Sequence, residues 1–492
     1  MSAIRYRLSR GAAQTMYKSA VPCASSTFLP SFLWYIWNRD TAANVELAAD
    51  AFNSLVIYNS LPVTSQTVAE YWQANSDVID EVRAQRLRYF VEYPDTDQYR
   101  MVYVDGRARR DTSLIAMLKD DPYLLGYFMT EEMNRYLVCD EREEDICHRM
   151  LTGYPDEYLD YDQIWAYTQE ERYDWFRTID ADHPYGIMDT PWGMPRMHTG
   201  EIDSTLNERW RAVNTAFDFI AHNRHISGFD TLGSVAQSVS ELYNKDLGVP
   251  YTVRECTRLV EESKPNYFLV PAYKQYDGDE VYRPFPTAEQ ARAMAFAAII
   301  HGATGVGWFT FDTYKMRLQW MMGIHPDPPA YFPEQYNEET EEVEGLVATD
   351  EEREESKALW NEIKSVTSTL SAMAPVIYSP TSKTNYEVHI HESASRLSAD
   401  YKADVPIRCV LKEYRSFGTT YLYMFAVNLD DSDIDVLWRF PFQPTVVRSV
   451  GEEGTKTIKP RGFIDSFAGQ ESRIYLIESV PVRGHQGWAW LR

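Results

Sequence analysis

The chain has 492 residues, 44% hydrophobic and 25% charged, proportions that fit a folded globular protein and not a disordered, collagen-like or coiled-coil one. Its 48 Lys and Arg against 73 Asp and Glu leave a net charge of −25, which repels phosphate backbones and anionic lipid surfaces and argues against nucleic acid as a partner. No apolar run approaches the roughly 18 residues of a membrane helix, since Phe296–Ile300 stops at His301 and Gly302, so no membrane partner is expected.

The length predicts two domains, one of them large. Residues 1–23 form an N-terminal extension that carries Arg5, Arg7 and Arg10 without an apolar stretch of signal-peptide length. Ile4–Ser9 alternates like an edge strand, a transit peptide being the other reading. Localisation stays open: extracellular or periplasmic if a leader has been removed, cytoplasmic otherwise. Five scattered cysteines offer neither a disulfide framework nor a CxxC pair, and only Cys139 and Cys147 are close enough for a local bridge.

From residue 28 onward, short β-rich runs alternate with helical patterns, the rhythm of a parallel sheet. Strands are predicted over Phe28–Trp37, Asn53–Asn59, Arg88–Tyr93, Leu124–Thr130, Gly186–Asp189, Ile226–Asp230, Tyr267–Tyr273 and Gly305–Asp312. Helices are predicted between them, among them Thr41–Ala51, Ser204–His222, Thr252–Glu262 and Thr287–His301. Eight such units make a (β/α)8 barrel over residues 24–375, an α/β fold. The acidic tract Asn337–Glu355 reads as a loop and a charged helix start and lacks the spacing of a calcium loop, and helix Lys357–Ala372 closes the barrel. After Pro375 the pattern becomes strands only, which predicts a small antiparallel β-sandwich over residues 376–492. Its His389 and His391 form an HxH pair without a third ligand, and no metal or other cofactor is expected.

Barrel active sites lie at the C-terminal ends of the strands. On the predicted boundaries several strands stop at carboxylates: Glu92 with Asp95, the pair Glu131 and Glu132, Asp189, Asp230 and Asp312. Asp also caps helices, but carboxylates at five of eight strand ends describe an acidic cleft. Two facing carboxyl groups are the minimum apparatus for glycoside hydrolysis, one donating a proton and the other acting as nucleophile or activating water. Aromatic residues make up 14% of the chain and serve either a large core or sugar stacking. Trp192, Tyr273, Trp308 and Trp320 are candidate platforms or loop anchors, while Lys274, Gln275, Arg196 and His198 are candidate hydrogen-bonding residues or solvated loop residues. No HExxH, GxSxG, P-loop or GxGxxG pattern is present.

Asp121-Pro-Tyr-Leu-Leu-Gly-Tyr-Phe-Met-Thr-Glu-Glu132 resembles the "P-x-L-L-G-Y-Y-x-x-D-E-P" stretch of glycoside-hydrolase-like barrels related to clan A glycosidases. The segment from Arg283-Pro-Phe-Pro-Thr287 through Met294, His301-Gly302 and Trp308 is similar to their "R-x-P-T-x-x-E-x-R-x-M-A-Y-x-A-I-x-H-G-A-x-G-I-x-Y" segment. His183-Pro184, Gly228-Phe-Asp230-Thr, Tyr421–Asn428 and Phe463–Leu476 also fit. The resemblance implies that Glu132 is the acid/base glutamate at the tip of strand 4 and that Glu131 occupies the preceding Asp or Asn position. Glu131 departs from that Asp, and Met133 from the following Pro. The glutamate expected at the end of strand 7 is absent from Val270-Pro-Ala-Tyr-Lys-Gln275, so Asp230, or else Asp189, is expected to supply the second carboxyl group. The expected function is hydrolysis of an oligo- or polysaccharide. The rivals are an inactive carbohydrate-binding barrel and a metal-dependent hydrolase, the second disfavoured by ten histidines without a ligand-spaced cluster. Oligomeric state is not legible.

Overall fold

The computed structural model describes residues 28–34, 41–58, 76–92, 101–104, 107–110, 112–131, 173–188, 217–223, 249–259, 264–277, 280–311, 314–316, 319–326, 335–337, 342–344, 348–390, 396–398 and 406–479. Eight parallel strands close into a barrel: β1 (Ser31–Trp34), β2 (Ser54–Tyr58), β3 (Arg88–Glu92), β4 (Leu124–Glu131), β5 (Tyr185–Met188), β6 (Phe219–Asn223), β7 (Asn266–Pro271) and β8 (Gly305–Phe309). They follow one another around the barrel in chain order, and β8 returns to β1 with Val306 opposite Ser31.

Both faces of each strand are covered, so the strands lack a polar side. Phe32, Phe90, Phe128, Phe219 and Tyr267 point inward and fill the lumen, with neighbouring ring centroids 5.0–5.9 Å apart. That many rings fit because glycines stand opposite them. A Cβ on Gly307 would come within 2.2 Å of Leu269 and 2.4 Å of Phe32, and one on Gly186 within 2.2 Å of Phe219.

At the N-terminal end of the barrel, aspartates placed before β4, β5 and β6 receive groups from neighbouring elements. Asp121, ahead of β4, accepts from the Tyr89 hydroxyl at 2.7 Å and from Arg83 at 2.7 and 3.0 Å. Asp180, ahead of β5, accepts from Tyr127 at 3.1 Å and lies 2.8 Å from His183 Nδ1, and Asp218, ahead of β6, accepts from Tyr173 and from the Tyr185 backbone N–H. Burial raises Asp180, but the hydrogen bonds from His183 and the neighbouring backbone outweigh it and hold the carboxyl below its ordinary range.

Strand 6 departs from the sequence expectation. It is Phe219–Asn223, overlapping the end of the stretch read as helix Ser204–His222, and not Ile226–Asp230. A strand buried on both faces shows no period-2 alternation, and here Ala221 and His222 dilute the apolar run. The outer layer includes α1 (Thr41–Ala49), α2 (Ser76–Ala84), α3 (Ser113–Leu118), α4 (Val249–Leu259), α5 (Ala288–Ile300) and α6 (Asp350–Ala372). Thr287 and Gln290 cap α5 reciprocally, and Thr349 and Glu352 cap α6 in the same way. The acidic tract thus places Asp350, Glu351 and Glu352 in the first turn of α6, where carboxylates favour the helix dipole.

The C-terminal region is a sandwich of two antiparallel sheets. Its strands are β9 (Glu387–Ile390), β10 (Arg396–Ser398), β11 (Ile407–Ser416), β12 (Thr419–Asn428), β13 (Ile434–Arg439), β14 (Pro444–Ser449), β15 (Thr457–Lys459), β16 (Gly462–Phe467) and β17 (Ser472–Ser479). One sheet runs β10-β9-β13-β16-β15 and the other β11-β12-β17-β14, around a core in which Trp438 stacks on Phe463 at 4.7 Å. The sequence pattern predicts strands over Glu387–His391, Ile407–Leu411, Thr420–Asn428, Asp435–Phe440, Val446–Ser449 and Arg473–Glu478, and it contains no signal for β10, β15 or β16. His389 lies 3.2 Å from Glu387, and His391 is outside the described residues.

Candidate active site

The C-terminal ends of β3 and β4, neighbours in the barrel, each bring a glutamate to the mouth. On β3, Tyr89 and Val91 pack in the outer layer while Phe90 lies in the lumen, so alternation turns Glu92 inward above Phe90. Glu92 is 3% exposed. Glu131 is the last residue of β4, and its Cα stands in register with Met188 of β5, an inward residue. The preferred acid, Glu132, follows immediately and lies outside the described residues, as do Asp189, Trp192, Asp230, Asp312, Arg196, His198 and the Cys139–Cys147 pair. With β6 ending at Asn223 and β8 at Phe309, neither Asp230 nor Asp312 terminates its barrel strand, and that ground for choosing them is withdrawn.

Trp308 is corrected outright. Gly307 and Phe309 face the lumen, so Trp308 faces the helices, where it is fully buried in the outer layer and has no face to offer a sugar. Lys274 is committed elsewhere as well, because its Nζ lies 2.8 Å from Glu352 of α6. The Tyr276 hydroxyl donates to the same carboxylate. Burial raises Glu352, but Lys274 and Tyr276 outweigh it and the carboxyl sits below its ordinary range.

Above the mouth lies an element that sequence patterning did not reveal. Lys274–Asp277, leaving β7, pairs with Glu280–Arg283 on one side and with Gln319–Met322 on the other, and Tyr314–Met316 completes a four-stranded antiparallel sheet. Its two faces divide the labour. Lys274, Tyr276 and Met322 turn toward α6 and the outer layer. Gln275, Arg283 and Met321 share the other face by register, and Met321 joins Tyr273 and Phe309 in the lumen cluster. Tyr273 and Gln275, two sequence candidates, therefore stand together at the mouth, 2% and 5% exposed. Arg283 was missed as a site residue: it opens the matched segment, but a lone arginine before a helix carries no signal of where its side chain goes.

Among the described residues no group of three His, Cys, Asp or Glu side chains is arranged to hold a metal. The β-galactosidase of Bacillus circulans sp. alkalophilus aligns over 92% of this chain and 100% of its own, with a TM-score of 0.51 and 8% identity. The two share the fold of a closed eight-stranded parallel barrel. A family 42 β-galactosidase from G. stearothermophilus matches at 10% identity and a TM-score of 0.46, covering 92% of this chain and 99% of that one. No family model and no curated protein matches the chain in sequence. At such identities the likeness of this barrel to its neighbours is one of fold, and chemistry has to be argued from the site.

Proposed function

We propose that the chain is a glycoside hydrolase that cleaves an oligo- or polysaccharide by carboxyl acid/base catalysis, without a cofactor. The observation that carries this reading is the pair of glutamate-bearing ends of β3 and β4 at the C-terminal mouth of a glycosidase-like barrel. In the proposal Glu132 donates the proton to the leaving oxygen, with Glu131 as its alternate. The second carboxyl group comes from Asp230 or Asp189, joined as a candidate by the inward-facing Glu92. The distance between the two carboxyl groups then sets retention at about 5–5.5 Å or inversion at about 6.5–9.5 Å.

One observation favours a second reading, a barrel that binds sugars without cleaving them. β7 ends at Pro271 and the chain continues through Ala272 and Tyr273 with no carboxylate. The experiment is a hydrolysis screen over nitrophenyl glycosides and oligosaccharides with the wild-type protein, Glu132→Gln and Glu131→Gln. Glu132→Gln is expected to lose about 10²–10⁴-fold in turnover with unchanged melting and ligand binding, since the amide keeps shape but delivers no proton. Near-wild-type turnover in Glu132→Gln removes it from the mechanism, and sugar binding without cleavage by the wild type favours the second reading.

A further inference from the structure

Arg283 is a cation in an unusual position for a protein of net charge −25. It is 6% exposed, on the lumen-facing side of the sheet that covers the mouth. Its guanidinium carbon lies 4.6 Å from the centre of the Tyr273 ring, and its Nη1 donates to the Tyr273 hydroxyl at 3.0 Å. No carboxylate pairs with it among the described residues, although 73 acidic side chains are present in the chain. The other buried cation of this sheet, Lys274, has Glu352 at 2.8 Å on the opposite face.

A buried, unmatched charge is costly, and a folded chain keeps one where something else completes it. The Tyr273 ring against the guanidinium and the hydrogen bond to its hydroxyl restrain the side chain, so its remaining N–H groups are held as a fork. That fork matches a planar carboxylate or another oxyanion. The neighbours fit a sugar ring bearing such a group: Gln275 stands beside Arg283 in register, Tyr273 is aromatic, and Glu92 lies on the inner face of the same mouth.

We propose that Arg283 is the specificity determinant for an anionic substituent on the sugar, so that this barrel takes acidic glycans, with a uronate carboxylate or a sulfate ester as the group recognised. The inference rests on the carbohydrate-directed reading of the mouth given above. The overall negative charge does not oppose it: surface charges are screened over about 8 Å at physiological salt, while a guanidinium in a dry cleft acts at contact.

The test is calorimetric binding of galacturonate, glucuronate and mannuronate trimers, their carboxyl-reduced neutral counterparts and a sulfated galactan trimer. Each is titrated into the wild-type protein, Arg283→Gln, Arg283→Lys and Tyr273→Phe. At least one acidic trimer is expected to bind tenfold or more tightly than its neutral counterpart. Arg283→Gln should abolish that preference while leaving neutral-sugar affinity in place, Arg283→Lys should retain part of it, and Tyr273→Phe, which keeps the charge, should retain most of it. A response to the sulfated trimer alone identifies sulfate as the recognised oxyanion. Equal affinity for acidic and neutral trimers, a preference that survives in Arg283→Gln, or no binding of any acidic trimer overturns the proposal. Where Arg283→Gln fails to fold, the ranking of Arg283→Lys and Tyr273→Phe decides it. Incubating the bound trimers with the wild type separates the two readings: Arg283-dependent binding without cleavage keeps this inference and overturns the hydrolase, and cleavage of neutral sugars alone does the reverse.

Discussion

His222, next to the end of β6, shows how one residue is held by its surroundings. Its Nε2–H donates to Asn266 Oδ1 at 2.5 Å, and Asn266 Nδ2 donates in turn to Thr257 Oγ1 of α4 at 2.9 Å, which ties two strands to one helix through a buried polar chain. Burial pushes the imidazole down to about 3, against a weaker upward pull from Asn266. His301 is pushed down to about 3 as well, by burial and then by Arg408 and Arg254. In the unfolded chain both titrate near about 6.5. Between those values the unfolded state carries protons that the folded state lacks, so stability is fully present above about pH 6.5 and is lost as pH falls toward about 3. Melting curves at pH 7 and pH 5 are expected to show a lower Tm at pH 5, and His222→Gln, which can still donate to Asn266, should flatten the difference by about half. An unchanged slope in that variant would assign the protons to other groups.

Among the elements, the sheet over the mouth is positioned by its contact with α6. Glu352 accepts from Lys274, from Tyr276 and from the Thr349 backbone N–H, so one carboxylate both caps the helix and docks the sheet. Glu352→Gln keeps the shape and the cap but leaves Lys274 only the more exposed Glu355, 3.8 Å away, as a counter-charge, a loss expected to cost about 1–3 kcal/mol in urea unfolding. Adding Lys274→Met should restore part of it, since a buried pair is often replaceable by apolar side chains. A loss below about 1 kcal/mol would show that Glu355 or solvent satisfies Lys274 in the variant. Because the other face of this sheet carries Arg283 and Gln275, Glu352→Gln should also weaken ligand binding without touching the mouth itself. The misplaced sixth strand belongs to this scale too: the helical spacing of residues 204–222 was legible, but which part of it pairs with β5 and β7 depends on neighbours far along the chain.

For the molecule as a whole, α5 is the hinge between the two halves of the architecture. Ten of its thirteen residues are buried, and from Ala293 to Ile300 it is apolar all round. One side packs on β7 and β8, another on α4 and α6, and the face that would meet solvent is covered by β11, β12 and β17 of the sandwich. Val410, Phe425, Val427, Leu429 and Ile474 of the sandwich are buried in the same cluster as α5. Expressing residues 24–375 alone is therefore expected to expose an apolar strip and give aggregation or a lowered Tm. A truncated barrel that remains soluble with unchanged melting would count against the sandwich as a structural cover.

The sequence by itself determined the (β/α)8 barrel, the sandwich behind it and the glutamates that close β3 and β4, because these depend on patterns within a few residues: the alternation of strand and helix, and the point at which an apolar run meets a charge. Only the tertiary structure decided which way those residues face. Glu92 turns inward and Trp308 outward because register around a closed barrel, not composition, sets the side of each position. Among the described residues Lys274 has a carboxylate partner and Arg283 has none, although they sit on neighbouring strands of one sheet, because Glu352 lies on one face of that sheet and the barrel mouth on the other. A charge acts over a few ångströms of space, and the residues that share that space here are separated by scores of positions in the chain.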